Sequence, residues 1–322
     1  MEKKTKNPLN RNPIIIAIMV LLVIYALSML IVLLWGLMIS FKNYAKDING
    51  LHNAVPNFLS FPSLEFSRGE MFSFWNYQRV FENVTAFKHK ASYYSAGELQ
   101  TPSVMGNYVT YILNTILYTG VGTLILSFVP AIGAYMCAKY KCTLSKLQIT
   151  VYLLFMMIPI VGSYPAELTF LRNTGMYNTF WGNWIQKLHF SGMYFFVYLA
   201  FYQGLSDAYA EAAEIDGASQ WNILIRIVLP LSLKMIGSVA LIQFITLWND
   251  YQVPQLYLPT HPTLAYATFL FTQPAMTSGG RYNGDVSVEI AACMLLALPI
   301  LVIYIAFNKK VLGDISMGGI KG

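Results

Sequence analysis

The 322-residue chain is 56% hydrophobic, only 11% charged and has a mean hydropathy of +0.50, which excludes an ordinary soluble domain built on one core and places it in the polytopic membrane class. The net charge of +6 does not mark a nucleic-acid binder, because the basic residues sit beside apolar runs and not on a polar domain of their own. Cys137, Cys142 and Cys293 make no disulfide framework, the four histidines (His52, His89, His189, His261) have no metal-ligand spacing, and neither a metal nor a cofactor is expected.

Residues 1–12 form a basic tail (Lys3, Lys4, Lys6, Arg11) ahead of an uncharged run. That run is too long for the apolar region of a signal peptide, so residues 13–41 read as a retained first transmembrane helix with a cytoplasmic amino terminus. Residues 42–105 change character, with mixed charge, Pro, Gly and many aromatics, and read as an extracytoplasmic insert between helices 1 and 2. Within it Phe74, Tyr77, Phe81 and Val84 recur at helical spacing, as an interfacial helix or an aromatic-rich coil would place them.

Five further spans are expected: residues 108–138, 147–166, 191–205, 231–258 and 286–307. Pro159 and Pro165 inside the third read as bends that do not break it. Lysines and arginines test the orientation. Lys3, Lys4, Lys6 and Arg11 precede the first span, Lys139, Lys141 and Lys146 follow the second, Arg226 and Lys234 flank a polar stretch after the fourth, and Lys309, Lys310 and Lys321 lie in the tail 309–322. They outnumber Arg172, Lys187 and Arg281 of the short outer loops. The consistent solution is an all-α polytopic membrane protein of six transmembrane helices with both termini cytoplasmic, in the cell membrane.

The polar stretch at 206–230 is the anomaly of the chain. Each acid at a bilayer centre costs roughly 2.5–3.5 kcal/mol, so Asp207, Glu211, Glu214 and Asp216 must lie outside the membrane. Ser206 or Asp207 can cap a short helix, Gly217 can end it in the left-handed conformation, and a second helix can start at Ser219 and re-enter the membrane through Pro230. Ala208, Ala212 and Ala213 give a small-residue face that another protein can approach closely. An ordinary solvated loop helix satisfies the same pattern.

Glu211-Ala212-Ala213, three residues, Gly217, nine residues, then Ile227-x-Leu229-Pro230 resembles the signature loop of permease subunits of binding-protein-dependent ABC importers. Ile215-Asp216-Gly217-Ala218-Ser219, Trp248-Asn249-Asp250-Tyr251, Leu298-Pro299 with Tyr304, and the terminal Gly318-Gly319-Ile320-Lys321-Gly322 resemble its carbohydrate, MalG-like branch. The resemblance covers about residues 75–322 and implies an ABC permease core over 106–308. It implies that Glu211, Ala212, Ala213, Asp216 and Gly217 form a coupling helix docked on one of two cytoplasmic ATPase subunits. It also implies a second permease subunit, an extracytoplasmic solute-binding protein and a sugar substrate, with the outer loop 259–284 (Tyr266, Gly279-Gly280, Tyr282) near the binding protein. The chain departs from the family at Ser206 and at Lys234-Met235, where proline is common.

Gln243, Thr246 and Asp250 fall on one stripe of the expected fifth span and, with Trp248 and Asn249, are candidates to line a sugar pathway, Trp248 or Tyr251 offering a stacking surface. Asp250 lies near the outer interface, where capping or anchoring is the favoured reading, and Gln243 and Thr246, which lie deeper, are the better lining candidates. No GxxxxGK[ST] and no catalytic constellation is present, so energy must come from a partner and no enzyme activity is expected. The alternatives are an importer of a non-sugar solute, or an ion-driven secondary transporter, which would need paired ionisable residues in broken helices at the midplane.

Overall fold

The computed structural model describes residues 13–41, 74–86, short strands within 88–105, and residues 107–140, 142–158, 162–189, 192–272 and 286–312. The tail 1–12, most of the segment 42–105, Pro159, the Gly279-Gly280 loop and the terminal Gly318–Gly322 motif lie outside the described residues. The chain forms two compact units, residues 1–83 with 277–295 and residues 84–276 with 296–322.

In the first unit, α1 (Pro13–Ser40) is 28 residues of uncharged sequence, about 42 Å at 1.5 Å per residue and ample for a hydrocarbon core of about 30 Å. From Ile16 to Leu34 its large side chains are exposed, as a lipid-facing helix requires. Its end is packed: Gly36 lets Met294 approach so closely that a Cβ would lie 2.9 Å from its methyl carbon. A helix does form over the aromatic repeat, α2 (Trp75–Ala86). Asn76 Nδ2 donates to the Ser40 carbonyl at 2.8 Å, Ser40 Oγ pairs with Tyr77 Oη at 2.7 Å, and Phe41 meets the rings of Phe74 and Tyr77.

The second unit opens with two small antiparallel ladders, β1 (Lys88–Lys90) with β4 (Ser103–Met105) enclosing β2 (Tyr93–Ser95) with β3 (Glu98–Gln100). The helical bundle follows: α3 (Tyr108–Lys139), α4 (Thr143–Met157), α5 (Ser163–Asn173), α6 (Phe180–Gln186), α7 (Met193–Gln203), α8 (Ala208–Ile215), α9 (Gln220–Trp248), α10 (Gln252–Tyr257), α11 (Leu264–Phe271) and α12 (Val286–Leu312), whose first turns belong to the other unit. Among the described residues α1, α3, α9 and α12 are long and apolar enough to cross a membrane. The expected third and fourth spans appear as α4, of 15 residues, and α7, of 11, about 22 and 16 Å long and shorter than a hydrocarbon core.

Three expected boundaries are corrected. The third span does not run to 166: Ile158, the residue before Pro159, is extended, as proline forces on its predecessor. Gly162 at φ +82° then re-aims the chain, and α5 starts afresh with Pro165 in its first turn, where a missing N–H costs nothing. The prolines mark a break. The fifth span begins at 220 and ends at 248, not at 231 and 258. Pro230 is absorbed by a π turn, Leu224–Val228, in which Leu229 N–H bonds the Leu224 carbonyl five residues back. The outer segment after 258 is more than a connector: α11 is buried, with Leu264 N–H donating to Thr115 Oγ1 at 2.7 Å and Asn114 Nδ2 to the Pro262 carbonyl at 3.0 Å, and Tyr266 is in that buried layer.

The core lies where α7 crosses α3. Ala131 and Ala134 give α3 a surface without bulk, so the aromatic face of α7 can approach closely, the small-residue packing of membrane helices. Tyr135 meets Tyr202 edge-on with centroids 5.5 Å apart, and Tyr152 of α4 meets Phe195 at 4.9 Å. Ile223, Leu224, Val228, Ile236 and Val239 of α9 complete this core, together with Ala210 and Ala213 of α8. Away from it, the Glu167 carboxylate joins α5, α6 and α10 by accepting from Gln186 Nε2 at 2.5 Å and Tyr257 Oη at 2.8 Å.

Candidate functional site

The site is the polar loop between α7 and α9. Gly204 ends α7. Ser206 Oγ accepts from Ala208 N–H at 3.4 Å and is the weak cap of α8, while Asp207 makes no side-chain cap. Its carboxylate instead receives Lys139 Nζ from the end of α3 at 3.1 Å. At the other end of α8, Gly217 N–H bonds the Glu214 carbonyl at 3.0 Å and Ala218 N–H bonds the Ala213 carbonyl at 2.9 Å. This pair of bonds is a Schellman closure, and it requires the left-handed φ of +81° at Gly217. Ser219 then caps α9 through Asn222 N–H at 3.4 Å.

A second strap runs beside the first: Tyr140 Oη donates to Gln220 Oε1 at 2.9 Å, and Gln220 Nε2 donates to Glu214 Oε1 at 2.9 Å. The expected docking residues therefore divide. Glu211, Ala212, Asp216 and Gly217 face outward and are exposed, whereas Ala213 is turned into the core beside Ala210. The small-residue face proposed from Ala208, Ala212 and Ala213 is thus two faces, because residues 212 and 213 lie about 100° apart around a helix of 3.6 residues per turn. What the sequence reading missed is apolar: Ile215 is 87% exposed and Trp221 68% exposed, with Tyr209 exposed nearby. Two large hydrophobes held out from a polar loop form an apolar surface of the kind that marks contact sites. Their presence among charged neighbours was the available signal.

At the other end of α9 the second candidate group also divides. Thr246 Oγ1 returns to the Ile242 carbonyl and Asn249 Nδ2 to the Ile245 carbonyl, both at 2.9 Å on exposed side chains, and Gln243 is half-buried. Trp248 is buried, stacks on Phe244 and donates to the Leu296 carbonyl at 3.0 Å; Tyr251 stacks on Phe269 with centroids 4.2 Å apart. Trp248 is not the open stacking surface expected of it, because it is buried within the chain, whereas Tyr251 is half-buried with Phe269 stacked on its ring. Asp250 lies beyond the end of α9, not on its stripe. Its Oδ1 accepts from Val253 N–H at 3.1 Å, capping α10, and its Oδ2 from Tyr118 Oη at 2.6 Å. Lys187, read from sequence only as a loop charge, is buried against Tyr118.

The family model described as binding-protein-dependent transport system inner membrane component matches residues 105–313. The chain belongs to that family. The match runs from the end of the β segment through α12 and takes in the whole of this loop, so the protein is a multi-pass inner membrane component. The diacetylchitobiose uptake system permease protein NgcG of Streptomyces coelicolor is 25% identical over 302 residues, covering 92% of this chain and 86% of that protein. The melibiose/raffinose/stachyose import permease protein MelC of Bacillus subtilis is 26% identical over 242 residues, covering 73% and 83%. A chain of a solved bacterial ABC transporter involved in the import of the acidic polysaccharide alginate shares this fold, with a TM-score of 0.68 over 95% of this chain and 99% of that one at 20% identity.

Proposed function

We propose that this permease is one of two membrane-spanning subunits of an ATP-driven importer of a sugar, specifically an oligosaccharide. It works with a second permease subunit, two cytoplasmic ATPase subunits and an extracytoplasmic solute-binding protein, and both its termini are cytoplasmic. The observation that carries the reading is α8: a short helix that presents Glu211 and Ile215 outward, with Trp221 exposed just beyond it at the start of α9, and whose two ends are fastened to α3 and α9. Such a helix transmits force. ATPase closure displaces α8 as a rigid body, Asp207 carries the displacement to Lys139 and α3, and the Gly217 turn carries it into α9, tipping the bundle between two access states. Glu211 supplies the charge for a basic ATPase residue, and Ile215 and Trp221 supply the apolar contact. The sugar class is supported by the names of the relatives, and Gln243 and Thr246, polar groups on α9, are the candidates to meet it.

The test is reconstitution with the partner subunits and candidate oligosaccharides loaded on the binding protein. Glu211→Arg should leave the chain inserted and the complex assembled more weakly, with sugar-stimulated ATP hydrolysis and uptake lost together. Normal uptake by this variant would refute the coupling role.

A further inference from the structure

Lys187 lies apart from the lever. It is only 8% exposed, although Arg172, in the same segment between α4 and α7, is exposed. Its ammonium sits 4.5 Å from the centroid of the Tyr118 ring and donates to Asn183 Oδ1 at 2.6 Å. Its stem lies on Gly122, where a Cβ would come within 3.4 Å of Cδ and Cε. Tyr118 belongs to a π turn of α3, Leu117–Val121, a distortion frequent at functional sites. It passes the contact on by donating to Asp250. A cation after α6, a phenol of α3 and a carboxylate after α9 thus meet about 30 Å along α3 from Lys139, at 1.5 Å per residue.

The seat is poorly matched to a charge. Among the described residues the ammonium has three donors and one protein acceptor, while Asn183 Nδ2, and Thr119 Oγ1 next in sequence to Tyr118, are buried without a partner. Burying a charge with its bonds unfilled is unfavourable.

We propose that Lys187 is a positioning residue for transport, a clasp that closes the end of the bundle remote from α8 by seating its ammonium between α3, α6 and the turn after α9, and that is spring-loaded to release because the charge is better solvated outside. The proposal rests on the permease reading above. The titratable groups facing Lys187, among the described residues, are Tyr118 and Asp250. Burial lowers the lysine from 10.5 to about 8, with Asp250 pulling the other way. Below about pH 8 the lysine is charged whether seated or released, and the full cost of seating opposes closure. Between about 8 and 10.5 the seated lysine is neutral and the released one still charged, so raising the pH favours the clasp, on the order of 100-fold across that window.

The experiment follows uptake by the reconstituted complex, buffered equally on both sides, from pH 7 to 9.5. In parallel it follows amide exchange over residues 180–189 in the full chain in nanodiscs, each rate divided by its intrinsic value. Wild-type uptake should fall about tenfold or more as the protection of α6 rises. Lys187→Met should be protected and slow at every pH. Lys187→Arg, whose guanidinium keeps its proton, should stay unprotected and active throughout, and it shows that a slow Lys187→Met is not merely misfolded. A wild-type protection profile flat with pH, or a Lys187→Met variant that keeps the step, overturns the clasp. A protection step with no change in uptake overturns its role in gating. A protection step in a complex that transports at no pH supports the clasp and refutes the transport reading instead.

Discussion

Gly217 isolates backbone conformation from packing. Its φ is +81° and a Cβ there would meet nothing within 4 Å, so a substitution acts through conformation alone. An L-residue in the left-handed region costs roughly 1–2 kcal/mol, and more when β-branched. Asparagine tolerates the region and should lose least. Because the two Schellman bonds from Gly217 and Ala218 depend on that φ, the cost falls on the closure of α8, and a loss of 1–2 kcal/mol shifts the closed-to-frayed ratio by about 5–30-fold. Uptake and sugar-stimulated ATP hydrolysis in proteoliposomes should therefore rank Gly, then Asn, then Ala, then Val, with membrane insertion equal in all four. Equal activity of Asn and Val, or an Ala variant at the wild-type level, would show that the turn is not what positions the lever.

Three further outcomes follow from the same geometry. Lys139–Asp207 is an exposed pair, with side chains 20% and 64% accessible, so Asp207→Asn should change thermal stability little, by about 0.2–1 kcal/mol, yet reduce coupled uptake; the swapped pair Lys139→Asp with Asp207→Lys should restore uptake, and failure to do so would remove the strap from the mechanism. Ile215→Ser combined with Trp221→Ser should leave the melting temperature of the purified subunit unchanged while weakening co-purification with the ATPase at least tenfold, and undiminished co-purification refutes an apolar anchor. Gly182→Ala should be severe, because the added Cβ would lie 2.2 Å from the Met176 carbonyl oxygen; a loss of about 1–3 kcal/mol or more is expected for overpacking against backbone, and a variant with wild-type melting contradicts the close turn before α6.

The sequence made some features legible because their physics is local. An uncharged run of about twenty residues or more has one stable state in a bilayer, so α1, α3 and α12 lie close to where hydropathy puts them. Gly217 is legible for the same reason, since six consecutive residues define its turn. Legibility fails where a distant partner decides. Pro230 reads as an entry point, but a π turn ahead of it lets α9 continue unbroken. Asp250 reads as part of a helical stripe until Tyr118, 132 residues away, and the cap of α10 claim its two oxygens. The burial of Lys187 has no sequence signal at all, being a consequence of Gly122 leaving room on α3. The three-residue strands between 88 and 105 are too short to show the alternation that identifies a strand.

These two kinds of feature meet in α8. An isolated helix of eight residues is unstable in water, since nucleation costs more than so few bonds return. Its stiffness must come from its surroundings, and the structure supplies them unevenly. The inward residues Ala210 and Ala213 are small and bury little apolar area, so the hydrophobic contribution of α8 itself is slight. What holds it is attachment at both ends: the Asp207 ion pair and the continuous chain from α7 at one, the Schellman turn and the Gln220–Glu214 bond at the other. A helix held by its ends, and not by its face, can turn with whatever binds its outer side without breaking a core. That is the property a coupling lever needs, and it explains why alanine stands at the inward positions: larger side chains there would key α8 into the bundle and resist the motion it has to pass on.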